Sequence, residues 1–422
     1  SFGPASYTAM SMPLVLIIVG SGKGTMEPLK MVGSGHSKRL FRDFHSIQGL
    51  IAAGATIGRA GQAARMADKR IVELDGLRGL SALAVVAAHF FGETQHGYRA
   101  LAAGWIGVDI FFVLSGFLIG TIILNQCGEP GFFKAFYIRR AARIVPIYFA
   151  VVIAALAAAA MTQGHVWSDR PYAFPVYATF TTNISYAVWH GGGIWLKPTW
   201  TLAVEEQFYL VLPLLILATP RKLLPSLLIA LWLSATVLRF WFGVNHEAAA
   251  EVLLPCRADL LLAGVLVALL HGKFDLGRYL LAFRLTPIVM LVATSALKFA
   301  YGFSAFLFFG PAFLSIAIAS FVLAILNGAP EGIRLRNPAL CWFGQISYGL
   351  YLVHQPISGL LHGVLLNGVP DIGSPAQIGV TLLAVTVSVG VAAASWRWFE
   401  SPILKRARRF QFETARKLPA VA

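Results

Sequence analysis

The chain is predicted to be an all-α polytopic membrane protein, a bundle of about ten transmembrane helices with one re-entrant or interfacial segment. Three observations predict this. Of 422 residues, 57% are hydrophobic and only 13% charged, about half the charge of a soluble domain. Apolar runs of about twenty residues recur between positions 76 and 396, the length a bilayer demands of a helix. No stretch alternates apolar and polar residues in the pattern of a membrane barrel.

The runs place spans at 76–93, 103–124, 143–161, 201–219, 223–242, 252–271, 284–301, 305–326, 342–366 and 376–396. The segment 173–190 is ambiguous, because Thr179, Thr181, Thr182, Asn183 and Ser185 dilute its apolar character. Charge arbitrates. If 173–190 does not span, the basic clusters all fall on one side: Arg65 to Arg70, Lys134 with Arg139, Arg140 and Arg143, Arg221-Lys222, Lys273 with Arg278, Arg334 with Arg336, and Lys405 to Arg409. Basic loops mark the cytoplasmic side. Ten spans with both termini cytoplasmic are therefore expected, in a bacterial inner (plasma) membrane, with 173–190 re-entrant or interfacial.

The net charge is +15, and it sits at the ends. Residues 1–70 carry nine Lys/Arg against three Asp/Glu, and 401–422 carry six against one. Such flanks touch anionic lipid rather than nucleic acid. Cys127, Cys256 and Cys341 are far apart and suggest neither a disulfide framework nor a metal site. The scattered histidines give no metal spacing either. Residues 1–70 read as a basic, unstructured extension. Gly20-Ser21-Gly22-Lys23-Gly24-Thr25 imitates a phosphate loop, but Ile17 stands where its first glycine belongs and no α/β pattern follows. Met66-Ala67-Asp68-Lys69-Arg70 reads as a natural start. A membrane domain is expected over 71–403 and a basic cytoplasmic tail over 404–422.

Arg78 and His89 interrupt the first span eleven residues apart. Eleven helical steps return to nearly the same face, roughly 16 Å along the axis. Ionisable groups at such depth usually face a polar interior and serve function; the plain alternative is a snorkelling Arg and a hydrogen-bonded His. Two carboxylates, Glu205 and Glu206, open the span after Trp200. Arg257 and Asp259 open a later one on the same side. Ser347, Tyr351, His354 and Ser358 form one stripe on the span 342–366, either functional or polar glue between helices.

Seven segments together resemble the membrane-bound acyltransferase 3 family. They are Leu74-Asp75-Gly76-Leu77-Arg78-Gly79 with His89, Gly107 to Phe117 (including Asp109 and Ser115), Arg139 to Tyr148, Trp200 to Tyr209, Arg257-Ala258-Asp259, Ile346 to Pro356, and Trp398 to Pro402. They occur in the family's order across about 71–403. The resemblance implies transfer of an acyl group, usually acetyl, from cytoplasmic acyl-CoA to a hydroxyl of a sugar, polysaccharide or lipid-linked glycan. Some members carry a fused extracytoplasmic hydrolase-like domain; the chain ends soon after its last span, so none is expected here.

Transfer from thioester to alcohol needs a base, a polarised carbonyl and exclusion of water. His89 has the right ordinary pKa for the base, and the resemblance adds weight to it and to Arg78. Glu205 is the first choice to orient His89 and Asp259 the second. A covalent acyl-His89 intermediate is the alternative. Arg78, Arg139, Arg140 and Arg143 are candidates for the donor's phosphates, since guanidinium pairs bidentately with phosphate. Asp75, Asp109, Glu206 and Arg257 read as support. Ser115 reads as packing first and nucleophile second. Tyr351 and His354 are candidates to steady a substrate or the thioester oxygen. Trp167, Tyr172, Trp189 and Trp195 in the loops 164–200 could stack on sugars or lie at the interface. The main competing function is a secondary transporter of a small polar or glycan-related solute; a non-catalytic scaffold is the third.

Overall fold

The computed structural model describes residues 71–410, apart from 272, 273 and 275. The expected extension 1–70, Lys273 and most of the tail lie outside the described residues. Within them the chain is helical throughout, with one isolated bridge between Pro171 and Gly192. The helices are α1 (Val72–Ala87), α2 (Arg99–Ala102), α3 (Ile106–Gln126), α4 (Phe132–Met161), α5 (Phe174–Ala178), α6 (Thr182–Trp189), α7 (Thr199–Ala218), α8 (Leu224–Asn245), α9 (Glu247–Val252), α10 (Leu254–Leu270), α11 (Leu280–Leu326), α12 (Pro330–Leu335), α13 (Pro338–Leu366), α14 (Pro375–Ser395) and α15 (Ser401–Ala407).

Among the described residues nine segments are long and apolar enough to cross a membrane. They cover nine of the ten expected spans. The tenth, α13, has ample length at 29 residues, but its polar stripe makes it less apolar than the rest. Burial explains how it tolerates that stripe: α13 packs between α1 and α14, and Ser347, His354, Ser358 and His362 are each at most 2% exposed. The spans at 284–301 and 305–326 belong to one long helix, α11, broken at Gly302, whose φ of 82° is left-handed. The ambiguous segment 173–190 folds as α5 and α6, of five and eight residues. Neither can cross a bilayer.

The largest boundary error concerns the third span. α4 begins at Phe132, eleven residues before the expected start at 143, because the helix runs straight through Arg139, Arg140 and Arg143 rather than starting after them. Residue 143 is three positions from 140 and four from 139, so spacing alone keeps the three on neighbouring faces, and their contacts sort them instead.

Two glycine crossings hold the interior together. On α1, Gly79 rests against the backbone of Leu340 and Gly344 of α13, and a side chain there would collide with it. On α3, Gly116 abuts Leu261 of α10, and Gly264 of α10 returns the contact against Val113. Small residues permit such close backbone approach where lipid supplies no hydrophobic drive. The first crossing fixes the register of α1 on α13 and so sets Arg78 and His89 against the stripe of α13.

Candidate active site

α1, α3, α4, α7 and α13 enclose a cleft of about 100 Å³. Three guanidinium groups line it: Arg78 from α1, and Arg140 and Arg143 from α4. Glu205 and Tyr209 of α7 face them, with Ser115 of α3 and Ser347, Tyr348 and Tyr351 of α13. The remaining wall is apolar, including Val108, Phe112 and Leu118. Polar groups converging in an apolar, helix-lined cavity are the usual form of a binding site in a bundle.

The hydroxyls of Ser115 and Tyr209 are hydrogen-bonded to each other, and the Glu205 carboxylate meets both. Ser115 is therefore a cavity residue and not simply a small packing residue. Tyr209 was part of a quoted motif, but nothing in its spacing identified it as Ser115's partner. Arg139 departs from the expected donor cluster. Its Nε donates to the Phe410 carbonyl at 2.8 Å, and it does not line the cleft. Asp75 lies one turn before Arg78 on α1 and also stays out of the cleft lining. Glu206 sits behind the cleft with one buried carboxylate oxygen that accepts no hydrogen bond.

At one end of the cleft, the Tyr351 hydroxyl is 2.9 Å from that of Thr201 and donates to the Pro198 carbonyl at 3.2 Å. Its ring centroid lies 5.9 Å from that of His354. His354 in turn meets His89: Nε2 of His354 and Nδ1 of His89 are 2.7 Å apart, and the rings stack at 11°. His89 thus adjoins the cleft through Tyr351 and His354 and is not part of its lining.

The tautomers follow from one carbonyl. His354 Nδ1 lies 3.1 Å from the Leu350 oxygen, which can only accept, so Nδ1 carries the hydrogen. In the neutral ring Nε2 then holds a lone pair, and His89 must donate to it from Nδ1. That leaves His89 Nε2 as an open acceptor, with Glu93 Oε2 at 3.7 Å. His89 also lies in a single turn of π-helix, Ala88–Gly92. Such bulges break the regular ladder and recur at functional sites.

The expected carboxylate partner of His89 is thereby replaced. Glu205 is turned to Ser115 and Tyr209. Asp259, the second choice, is fully buried against Arg239, with Nη2 to Oδ2 at 2.5 Å. The carboxylate at His89 is Glu93, four residues along, just past the end of the expected span. Asp109 and Arg257 pair with each other, and the Arg257 guanidinium lies 5.8 Å and 5.9 Å from the rings of Phe112 and Trp200. These four charges form a buried ionic knot of α3, α8 and α10. Arg239 was missed, although a lone Arg within the apolar run Ala235 to Trp241 was a visible signal. Also missed was the reciprocal amide pair of Asn183 and Gln207, at 3.1 and 2.9 Å, which ties α6 to α7.

The sequence pattern of the acyltransferase 3 family, described as an acyltransferase domain, matches residues 71–396, and the chain belongs to that family. It is 29% identical over 378 residues to a peptidoglycan O-acetyltransferase of Listeria monocytogenes, covering 81% of this chain and 57% of the relative. A Bacillus subtilis protein provisionally named a peptidoglycan O-acetyltransferase is 27% identical, covering 78% and 54%. A Staphylococcus aureus protein provisionally named an O-acetyltransferase is 25% identical, covering 79% and 57%. The chain therefore spans a little over half the length of these relatives.

Proposed function

We propose that the chain is an integral membrane O-acyltransferase that moves an acyl group, acetyl in the simplest case, from acyl-CoA to a hydroxyl of a glycan. One observation carries the reading: a cleft with three guanidiniums leads, through Tyr351 and His354, to a histidine with an open Nε2. Family membership and the names of the relatives support the same reaction class.

The donor is a polyanion, and Arg78, Arg140 and Arg143 are suited to its phosphates. They lie towards the end of the bundle where the basic clusters gather, which is cytoplasmic in this reading, as are both termini. The pantetheine arm then extends along the cleft towards Tyr351. His89 Nε2 takes the proton of the attacking hydroxyl. The new C–O bond forms as the C–S bond breaks, and the same proton passes to the departing thiolate. His354 holds His89 in the competent tautomer by accepting from Nδ1, while Glu93 favours the imidazolium formed on proton capture. Glu205 balances the arginines and aligns the hydroxyls of Ser115 and Tyr209. The acceptor is a sugar, polysaccharide or lipid-linked glycan approaching from the other side. Asp259, Asp109 and Arg257 support the fold without touching the reacting atoms, and direct transfer with His89 as base is preferred here to an acyl-His89 intermediate.

The test is to give the full chain in lipid vesicles labelled acetyl-CoA and a soluble oligosaccharide. Release of CoA thiol together with labelled oligosaccharide supports the reading. Accumulation of unmodified solute inside the vesicles, without thiol release, is the transporter's outcome and overturns it.

A further inference from the structure

Tyr351 of α13 stands between the cleft and the histidine pair. It lines the cleft, and its ring centroid lies 5.9 Å from that of His354, the planes inclined at 45°. His354 in turn stacks on His89. Neither histidine lines the cleft. A group entering from the arginine end therefore meets the Tyr351 ring before it meets His89.

The ring is backed by α3. Phe111 meets it edge-on, with centroids 6.4 Å apart and planes at 60°, and Phe111 also lines the cleft. Val108, three residues earlier and so on the same face of α3, lines the cleft too, as does Leu202 of α7. With the Tyr351 ring these side chains make an apolar wall.

Packing places the ring more than its hydrogen bonds do. The Pro198 carbonyl accepts from the Thr201 N–H at 3.3 Å, from the Thr201 hydroxyl at 2.9 Å and from the Tyr351 hydroxyl at 3.2 Å. The Tyr351 and Thr201 hydroxyls are themselves 2.9 Å apart. Two hydroxyl hydrogens thus serve three oxygen-to-oxygen contacts. If the Tyr351 hydroxyl is removed, the carbonyl keeps its bonds to Thr201, and the cost of a stranded buried acceptor does not arise.

We propose that the Tyr351 ring, backed by Phe111, sets the length of the acyl chain. It leaves room for an acetyl thioester to reach His89 and turns longer chains away. The inference rests on the acyltransferase reading, in which Arg78, Arg140 and Arg143 take the donor's phosphates and its thioester end points at Tyr351. Further methylenes on the acyl group would have to occupy the space of the ring. One surplus methylene in a tight apolar pocket costs about 10–200-fold in kcat/KM.

The test uses the full-length protein in lipid vesicles with a soluble oligosaccharide acceptor. Acetyl-CoA, butanoyl-CoA and hexanoyl-CoA are compared by kcat/KM for labelled product. The wild type should favour acetyl over butanoyl by about 100-fold or more. Tyr351→Ala should narrow that ratio by about tenfold or more, while Tyr351→Phe, which keeps the ring, should leave it within about twofold. Phe111→Ala widens the same partition from another helix, so it tests the idea even where Tyr351→Ala fails to fold. A wild type that uses butanoyl as readily as acetyl overturns the assignment. So does a length preference that Tyr351→Ala and Phe111→Ala leave unchanged, both donors falling in proportion; the acyltransferase reading would survive that result. A wild type that transfers from none of the three donors removes that reading and the partition with it.

Discussion

His89 Nδ1 lies 2.7 Å from His354 Nε2, with the two rings nearly parallel. Because His354 Nδ1 is committed to the Leu350 carbonyl, this contact decides which nitrogen of His89 is left to accept a proton. His354→Phe keeps a ring of similar shape but removes the acceptor, so His89 loses its fixed tautomer. Transfer should fall about tenfold or more, with the donor KM little changed, as read by thiol release against acetyl-CoA concentration. An unchanged kcat would show that His354 is packing alone.

The arginines separate by what they touch. Arg140→Gln and Arg143→Gln each remove a charge from the cleft, and each should raise the donor KM by about tenfold or more, the usual worth of a charged hydrogen bond. Arg139→Gln, outside the cleft lining and bonded to Phe410, should leave that KM within about twofold. Equal effects of all three would return them to generic topology-setting cations.

Arg239 and Asp259 are both fully buried. Removing one partner strands the other, so Arg239→Met should destabilise the protein by about 3–5 kcal/mol. The double variant Arg239→Met, Asp259→Leu should recover much of that loss. Thermal unfolding in detergent measures both, and a double variant no more stable than Arg239→Met would contradict the pairing.

Asp371 ties the loop after the π-turn to the loop before α14. Burial pushes its carboxyl up, but the His96 N–H, the His96 ring and the Ile372 N–H outweigh this and hold it below the ordinary carboxylate value. The bonds are His96 N at 3.0 Å, His96 Nδ1 at 2.6 Å and Ile372 N at 2.8 Å. With a depressed folded pKa, the contribution is fully present above the unfolded Asp value of about 4 and is lost as pH falls through the folded value. Asp371→Asn should therefore lower the unfolding temperature at pH 7, and the difference from wild type should shrink in acid. A gap constant from pH 7 down to pH 3 would contradict this linkage.

Much of this architecture was legible because lipid imposes simple rules. Length and apolarity located the spans, and charge correctly refused one to 173–190. The stripe of Ser347, Tyr351 and His354 was readable from spacing, and so was its burial. What spacing could not give was pairing between helices. The partner of His89 is 265 positions away on α13, and the crossing that brings it there depends on Gly79 meeting Gly344. Glu205 looked like the natural carboxylate because it opens a span on the expected side, yet rotation of α7 turns it to Ser115 and Tyr209. Glu93 was overlooked because it sits at a helix end, where a charge ordinarily needs no partner. Arg139 was grouped with Arg140 and Arg143 because helical spacing keeps it beside Arg143, and only its bond to the Phe410 carbonyl, remote in sequence, sets it apart.

The most direct measurement is the rate of acyl transfer by His89→Ala, compared with wild type for labelled acetyl-CoA and glycan acceptor in the same vesicles. Loss of a positioned base predicts a fall of about 10²–10⁴-fold in kcat, with the protein still inserted and donor binding at Arg78, Arg140 and Arg143 retained. Transfer at the wild-type rate would contradict the account, because no other group then stands where the open nitrogen of His89 stands.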